Sequence, residues 1–248
     1  PPRVDAVRSP VARVGASQGG RHQSAFFASL GVFFLTLLLA SQVIGTMAEE
    51  RNNKVIEILA AAVPLESVFL GKLLGMFGVA VLFIGFWGII LGVLGPAASP
   101  GFAAALHELS PAVGAAPFAL LFAAYFATAF LLLGSVFLGL GAQATTMREI
   151  QLMSLPVTLL QVGMFGLSVA AEAHPGTWFQ TAVELFPFSS SFAMAGHAAA
   201  LPGHWRHLAA LAWQLLWVTI SIRLGARAFR RGVLQSGSPG GRWWRRRP

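Results

Sequence analysis

Long apolar runs alternate with short polar segments along most of the chain. Five of these runs approach the roughly 20 apolar residues that a helix needs to cross a bilayer. The pattern predicts an all-α polytopic membrane protein whose transmembrane domain covers residues 24–231. The five predicted spans are residues 24–48, 68–94, 117–142, 152–171 and 205–222.

Three segments do not fit the pattern of a spanning helix. Residues 1–23 are rich in Pro, Gly and Arg, and they are expected to be the end of an external domain or a disordered lead. Residues 184–201 are too broken to span and too apolar for a free loop, which predicts a re-entrant external helical piece. Residues 232–248 form a basic cytoplasmic tail that is expected to bind lipid headgroups rather than nucleic acid.

The composition supports a membrane location. Of the 248 residues, 56% are hydrophobic and 10% are charged, and the mean hydropathy is +0.69. A soluble globular domain carries about 25% charged residues. The sequence contains no Cys, which excludes disulfides and thiolate metal sites.

The placement of basic residues predicts the orientation. The net charge of +8 comes from residues 223–247, which hold eight arginines and no acidic residue. Basic residues that flank spans stay on the cytoplasmic side, so the C-terminus is expected in the cytoplasm. The protein itself is expected in a bacterial inner membrane. Residues 95–116 and 171–204 then lie outside, and neither segment has Lys or Arg. The arginines before the first span break the rule, and a sixth span upstream would restore it.

Residues 49–63, between the first two spans, are unusually polar for this chain. Acidic residues at their start suit the positive end of a helix dipole, and Pro64 stops the helix. Apolar residues recur on one face at helical spacing. The segment is predicted to be an amphipathic helix at the inner membrane surface, either a connector or a docking element for a cytoplasmic partner. Glu66 and Lys72 are expected to pair at the elbow after Pro64.

Three segments of the sequence share motifs with one family of membrane proteins. The first is EERNNKVIEILAAAVPLESVFLGKLLG, residues 49–75, which resembles the intracellular helix of the ABC type-2 transporter permease family, especially the sodium-efflux-like branch. REIQLMSLPVTLLQ, residues 148–161, resembles its cytoplasmic Arg-Glu followed by a Pro-containing span. LFPFSSSFAM, residues 185–194, resembles its external Ser-rich segment, although Ser191 stands where the family has Pro.

The resemblance implies a permease that works with a cytoplasmic ABC ATPase subunit, in an exporter formed with a second permease copy or homologue in the lipid bilayer. Residues 49–63 would be the coupling helix. The chain itself would hold no cofactor and no catalytic residue, because it has no G-x-x-x-x-G-K-[ST] motif, and ATP and magnesium would bind the ATPase. The expected ATPase-coupling residues are Glu49, Glu50, Arg51, Asn52, Lys54, Glu57 and Lys72.

The sequence does not identify the substrate, and the candidates are ions, drugs, lipids, peptides and glycan precursors. Sodium is the first candidate because the chain resembles the sodium-efflux-like branch. Gln42, Thr128 and Gln161 lie inside predicted spans, and they are expected either to form interhelical hydrogen bonds or to line a substrate path between two permeases. No Asp, Glu, Lys or Arg lies in the middle of a span, which disfavours proton relays. An ion channel or a secondary carrier without an ATPase is the alternative function.

Two other classes receive less support from the sequence. An intramembrane enzyme would need a catalytic motif such as G-x-S-x-G or H-E-x-x-H, and neither occurs. A structural scaffold would need no ATPase partner. The histidines near the last span, His197, His204 and His207, match no metal-site spacing, so no metal is expected.

Overall fold

The computed structural model describes residues 18–52, 62–144 and 146–236, and every regular element within them is helical. A π-helical turn, Ile90–Leu94, lies between the helix that ends at Ile89 and the helix that begins at Gly95. The helices are α1 (Gln18–Asn52), α2 (Leu65–Ile89), α3 (Gly95–Ala98), α4 (Pro100–Glu108), α5 (Ala115–Gly141), α6 (Met147–Glu172), α7 (Trp178–Leu185), α8 (Pro187–Ala200) and α9 (Trp205–Ser236).

Five stretches of the described chain are long and apolar enough to cross a membrane. The prediction of an all-α polytopic protein with five spans is therefore confirmed. The second span is longer than predicted, because the backbone stays helical through the π turn and α3. The five stretches are Gly19–Met47, Leu65–Ala98, Ala115–Gly141, Arg148–Glu172 and Trp205–Leu234.

Side-chain caps and a proline mark where several helices begin. Thr146 accepts a 3.2 Å hydrogen bond from the Glu149 N–H at the start of α6, and Thr177 accepts one of 3.3 Å from the Gln180 N–H at the start of α7. Such caps satisfy N–H groups that have no partner within the helix. Pro187 occupies the first turn of α8, where its missing N–H leaves no helical bond unmade.

α5 lies at the centre of the bundle, where it packs against α1, α8 and α9 and also touches α2 and α6. In its most apolar stretch 56% of the residues are buried, against 6% for the second span, which therefore leaves most of its apolar surface to lipid or to a partner. Phe126, Phe130 and Phe137 of α5 share one core cluster with Phe69 of α2 and Phe229 of α9.

Glycines allow α5 and α9 to approach closely. A Cβ on Gly225 would lie 2.6 Å from the carbonyl oxygen of Ser135, and one on Gly232 would collide with the carbonyl of Ala142. The hydroxyls of Ser135 and Ser221 lie 2.6 Å apart across the same contact. Within a membrane the hydrophobic effect does not drive helices together, so close van der Waals contact and hydrogen bonds such as this one hold the two spans.

The bundle has two ends. At the N-terminal face α1, α5 and α9 begin and α6 ends, whereas at the C-terminal face α1 and α9 end and α2 begins. The link between α4 and α5 closes the N-terminal face: Ser24 Oγ donates to the Leu109 carbonyl at 2.9 Å, and the Ala112 N–H donates to the Ala199 carbonyl at 2.8 Å. These bonds tie the link to α1 and α8.

Candidate functional site

α1 and α2 meet at an elbow on the C-terminal face. α1 runs without a break through Asn52, and α2 begins at Leu65 directly after Pro64. Glu49 and Glu50 therefore lie on the extension of the first span, where a separate short helix was expected to start. The backbone stays helical past the apolar stretch to Asn52 because no Pro lies within Gln18–Asn52.

The predicted coupling residues are described to different extents. Glu49 is exposed at the end of α1. Arg51 and Asn52 lie in the last described turn of α1. Lys54 and Glu57 lie outside the described residues. Contact of this set with a partner stays a prediction.

Lys72 and Glu50 form an ion pair that joins α1 to α2 across the elbow, with side chains 11% and 31% exposed. Lys72 Nζ also lies 3.4 Å from Met47 Sδ of α1. The prediction of an ion pair between Glu66 and Lys72 is wrong, since Glu66 Oε1 lies 3.8 Å from Nη1 of Arg230 in α9. Glu66 and Lys72 are six positions apart on α2. Because each residue turns the helix by about 100°, their side chains leave the helix roughly 120° apart. The two residues consequently meet different helices.

α7 and α8 form a helical hairpin that packs against the middle of α9. Trp213 Nε1 donates a 2.8 Å hydrogen bond to the carbonyl of Leu185, and Gln214 Nε2 donates one of 3.0 Å to the carbonyl of Pro187. Backbone carbonyls without partners are costly in a membrane. These two side chains of α9 therefore stabilise the hairpin turn, where the helical bonding of α7 ends.

Serine side chains at the start of α8 bond into the bundle. Ser189 Oγ donates to the Val183 carbonyl at 2.7 Å, and Ser191 Oγ lies 3.1 Å from Thr128 Oγ1 of α5. Gln161 of α6 borders a small cavity beside Ser191, is 3% exposed, and has no hydrogen-bond partner for Oε1 among the described residues. The structure thus brings Thr128 and Gln161 together beneath α8, within one chain.

Gln42, the third predicted path residue, lies apart from this group and is exposed on α1. The sequence signals the Ser-rich start of α8 and the polar residue Gln214, but it does not single out Trp213 as a donor to the hairpin turn. No local pattern could do so, because that role depends on how closely α9 approaches the end of α7.

Histidines at the N-terminal face make hydrogen bonds with neighbouring helices. His197 Nδ1 lies 3.2 Å from Glu184 Oε1, and His207 Nδ1 lies 2.8 Å from the Tyr125 hydroxyl. The two imidazole rings are 5.6 Å apart. Within the described parts of the chain, no group of three or more His, Cys, Asp or Glu residues is arranged to hold a metal ion.

Comparisons with known proteins identify relatives of the chain. A family model described as "ABC-2 family transporter protein" matches residues 6–224. The chain is also 25% identical over 215 residues to the uncharacterized protein YhaP of Bacillus subtilis (strain 168). That alignment covers 84% of this chain and 50% of YhaP, so the chain spans about half the length of this relative. No solved structure matches the chain.

Proposed function

Because the chain belongs to the ABC-2 family of transporter proteins, we propose that it is the permease subunit of an ATP-driven exporter. It is an integral membrane protein and a membrane component of transport rather than a catalytic subunit. ABC-2 permeases generally work with a cytoplasmic ABC ATPase. In the proposal such an ATPase binds ATP and magnesium, and its hydrolysis drives export of an ion or small molecule.

The elbow between α1 and α2 carries the proposal. The Lys72–Glu50 ion pair ties the two spans together there. From the elbow, α1 leads to contacts with α5, α6 and α8, and α2 leads to contacts with α5 and α9. A partner that moved the elbow would therefore move both spans and their neighbours, which is how rigid elements transmit a conformational change.

The predicted docking residues suit a polar cleft on a partner. Glu49 is exposed, and Arg51, Lys54 and Glu57 add charges of both signs to the same segment. Complementary charges orient a docking helix and exclude wrong partners. Lys72 has a different role in the proposal: its side chain is only 11% exposed, so it holds the elbow in shape and does not touch the ATPase.

The elbow faces the cytoplasm in this proposal. Arg148 lies in the first turn of α6, and Arg230 lies close to Glu66 at the elbow. Basic residues are enriched on the cytoplasmic side of membrane proteins, so the C-terminal face is assigned to the cytoplasm. The other basic residues of α9 near this face are Arg223, Arg227 and Arg231.

The substrate path is proposed to lie between two permeases. Gln42 is exposed on α1, which supports a place on that path. Thr128 and Gln161 are buried beneath α8 in one chain, so they would act through movement of the α7–α8 hairpin. Sodium is the first candidate substrate, and only the sequence resemblance supports it. Drugs, lipids, peptides and glycan precursors are the other candidates.

A pull-down experiment tests the proposal. The full-length protein is tagged, purified from native membranes in mild detergent, and searched for a co-purifying protein with a P-loop motif. The double variant Arg51→Glu with Glu57→Arg is expected to lose that ATPase while retaining the thermal stability of the wild type. Glu108→Gln, an exposed change at the N-terminal face, is the matched control and should retain the ATPase. An ATPase bound equally to all three proteins would contradict docking at the elbow.

A further inference from the structure

A cavity of about 270 Å³ lies at the N-terminal face, between α1, α6, α7 and α8. It is far from the elbow, on the other face of the bundle. An engineered protein cavity of about 150 Å³ is large enough for benzene, so this one has room for a small organic molecule. Its polar lining includes Glu172, Glu184 and His197, together with the exposed residues Arg21 and His22.

Glu172 is fixed tightly in the wall of this cavity. Its Oε1 accepts a 2.6 Å hydrogen bond from Ser29 Oγ, and Ser29 is fully buried. Ser29 Oγ also lies 2.9 Å from the carbonyl oxygen of Phe192, so Ser29 holds Glu172 next to α8. A Cβ on Gly196 of α8 would collide with the same carboxylate oxygen. The absence of a side chain at position 196 therefore lets Glu172 lie directly against α8.

The carboxylate of Glu172 has no cationic partner in the part of the chain that the structure describes. The ion pairs among the described residues do not include it. Arg21 is the one Arg or Lys among the cavity-lining residues, and it is exposed and pairs with neither glutamate in the described structure. A carboxylate removed from water without a counter-charge is costly. A bound cation would remove that cost.

Glu184 contributes a second carboxylate, but it already has two partners. Its Oε1 accepts a 2.9 Å hydrogen bond from Gln180 Nε2 and lies 3.2 Å from His197 Nδ1. Oε1 of Glu184 is therefore already engaged and offers no free ligand atom to the cavity. Glu172 is consequently the better anchor for a cation.

We propose that this cavity binds a small organic cation with a single ammonium group, and that Glu172 is its counter-ion. The carbon part of such a ligand lies against Ala25, Ala171 and Ala193, which line the apolar side of the cavity. A metal ion is a poorer fit, because the described residues offer no suitable group of three ligands. The proposal goes beyond export and does not depend on ATPase docking, because binding is measured on the permease alone.

Ligand-observed NMR tests this site. Saturation-transfer difference spectra are recorded for benzylammonium with the full-length protein in detergent micelles, at constant ionic strength. Benzyl alcohol serves as the neutral probe of the same shape. Saturable binding of benzylammonium, at least about tenfold tighter than that of benzyl alcohol, is the expected result, since bonds to charged groups are the stronger ones. Equal affinities, or no saturable binding of benzylammonium, would overturn the proposal.

Variants assign the binding to Glu172. Glu172→Gln should weaken benzylammonium binding about tenfold or more and leave benzyl alcohol unchanged, whereas the exposed control Glu108→Gln should alter neither. Retention of wild-type affinity in a folded Glu172→Gln protein would overturn the assignment.

A measurement on the wild-type protein keeps the proposal testable if Glu172→Gln does not fold. Dicyclohexylcarbodiimide, an apolar reagent for carboxylic acids, is applied with and without the probes, and the labelled peptides are identified by mass spectrometry. A quaternary probe, benzyltrimethylammonium, replaces benzylammonium in this experiment, because a primary amine would itself react with the activated carboxyl. It should protect Glu172 from labelling, and benzyl alcohol should not. Labelling of Glu172 that benzyltrimethylammonium does not reduce would contradict the site.

Discussion

Lys72 and Glu50 form an ion pair although 22 residues separate them in the chain. The pair closes the elbow between α1 and α2, and it brackets the segment predicted to dock a partner. Lys72 is the more buried of the two, and its ammonium also lies near Met47. The geometry of this elbow therefore depends on a contact between spans and not on the connecting segment alone.

Glu50→Gln is expected to destabilise the protein more than Glu66→Gln. Removing the Glu50 charge leaves the Lys72 ammonium poorly solvated. The loss in free energy of unfolding should lie between two limits: 0 to about 1 kcal/mol for an exposed ion pair, and roughly 3–5 kcal/mol for breaking a buried one. The Glu66–Arg230 pair is 3.8 Å long, with side chains 65% and 60% exposed, so its loss should be nearly silent. Thermal unfolding followed by tryptophan fluorescence gives the comparison. Equal melting temperatures for the two variants would show that the buried pair does not hold the elbow.

Gly225→Ala is expected to loosen the contact between α5 and α9. The added Cβ would lie 2.6 Å from the backbone oxygen of Ser135, which cannot rotate away. Overpacking of this kind costs typically about 1–3 kcal/mol. Gly163→Ala on α6 is the matched control, because no atom lies within 4 Å of its added Cβ. The melting temperature should fall for the first variant only, and a comparable fall in both would argue against close packing at Gly225.

Trp213→Phe is expected to free the turn between α7 and α8. The change removes the donor to the Leu185 carbonyl, a hydrogen bond at the surface of the bundle, and a net hydrogen bond contributes about 0.5–1.5 kcal/mol. Hydrogen exchange measured by mass spectrometry should be faster in the peptides of α7 and α8. Trp205→Phe, at a residue 79% exposed, is the control and should leave that exchange unchanged. Slow exchange in both variants would mean that other contacts hold the hairpin.

The sequence predicts the five spans well, because length and hydropathy alone decide whether a helix can cross a bilayer. It predicts less about contacts between spans. Glu66 and Lys72 are close in sequence and opposite in charge, yet they face different helices, and only the packing of α1 and α9 around α2 determines their partners. The glycines show the same limit: Gly71 and Gly75 have the four-residue spacing typical of closely packed membrane helices, but a Cβ on either would meet no atom within 4 Å.

The hairpin and the cavity show a further limit of sequence reasoning. The broken pattern of residues 184–201 signals a helical piece, but not that Trp213 and Gln214 satisfy its turn. Glu172 appears in the sequence as one more acid near the end of a span. Its contact with Ser29 joins residues 143 positions apart, and the room for it comes from a glycine on a third helix. Such a site depends on three helices at once and leaves no local pattern.

Site-directed cross-linking tests the central claim, that the elbow docks a cytoplasmic ATPase. The chain has no Cys, so Glu49→Cys and Glu108→Cys each introduce a single thiol, one beside the elbow and one at the N-terminal face. A short bifunctional reagent that joins thiols to amines is applied in native membranes, and the adducts are identified by mass spectrometry. The account predicts a P-loop ATPase adduct from Glu49→Cys and none from Glu108→Cys. The absence of any ATPase adduct from Glu49→Cys would contradict the account and favour a channel or a secondary carrier.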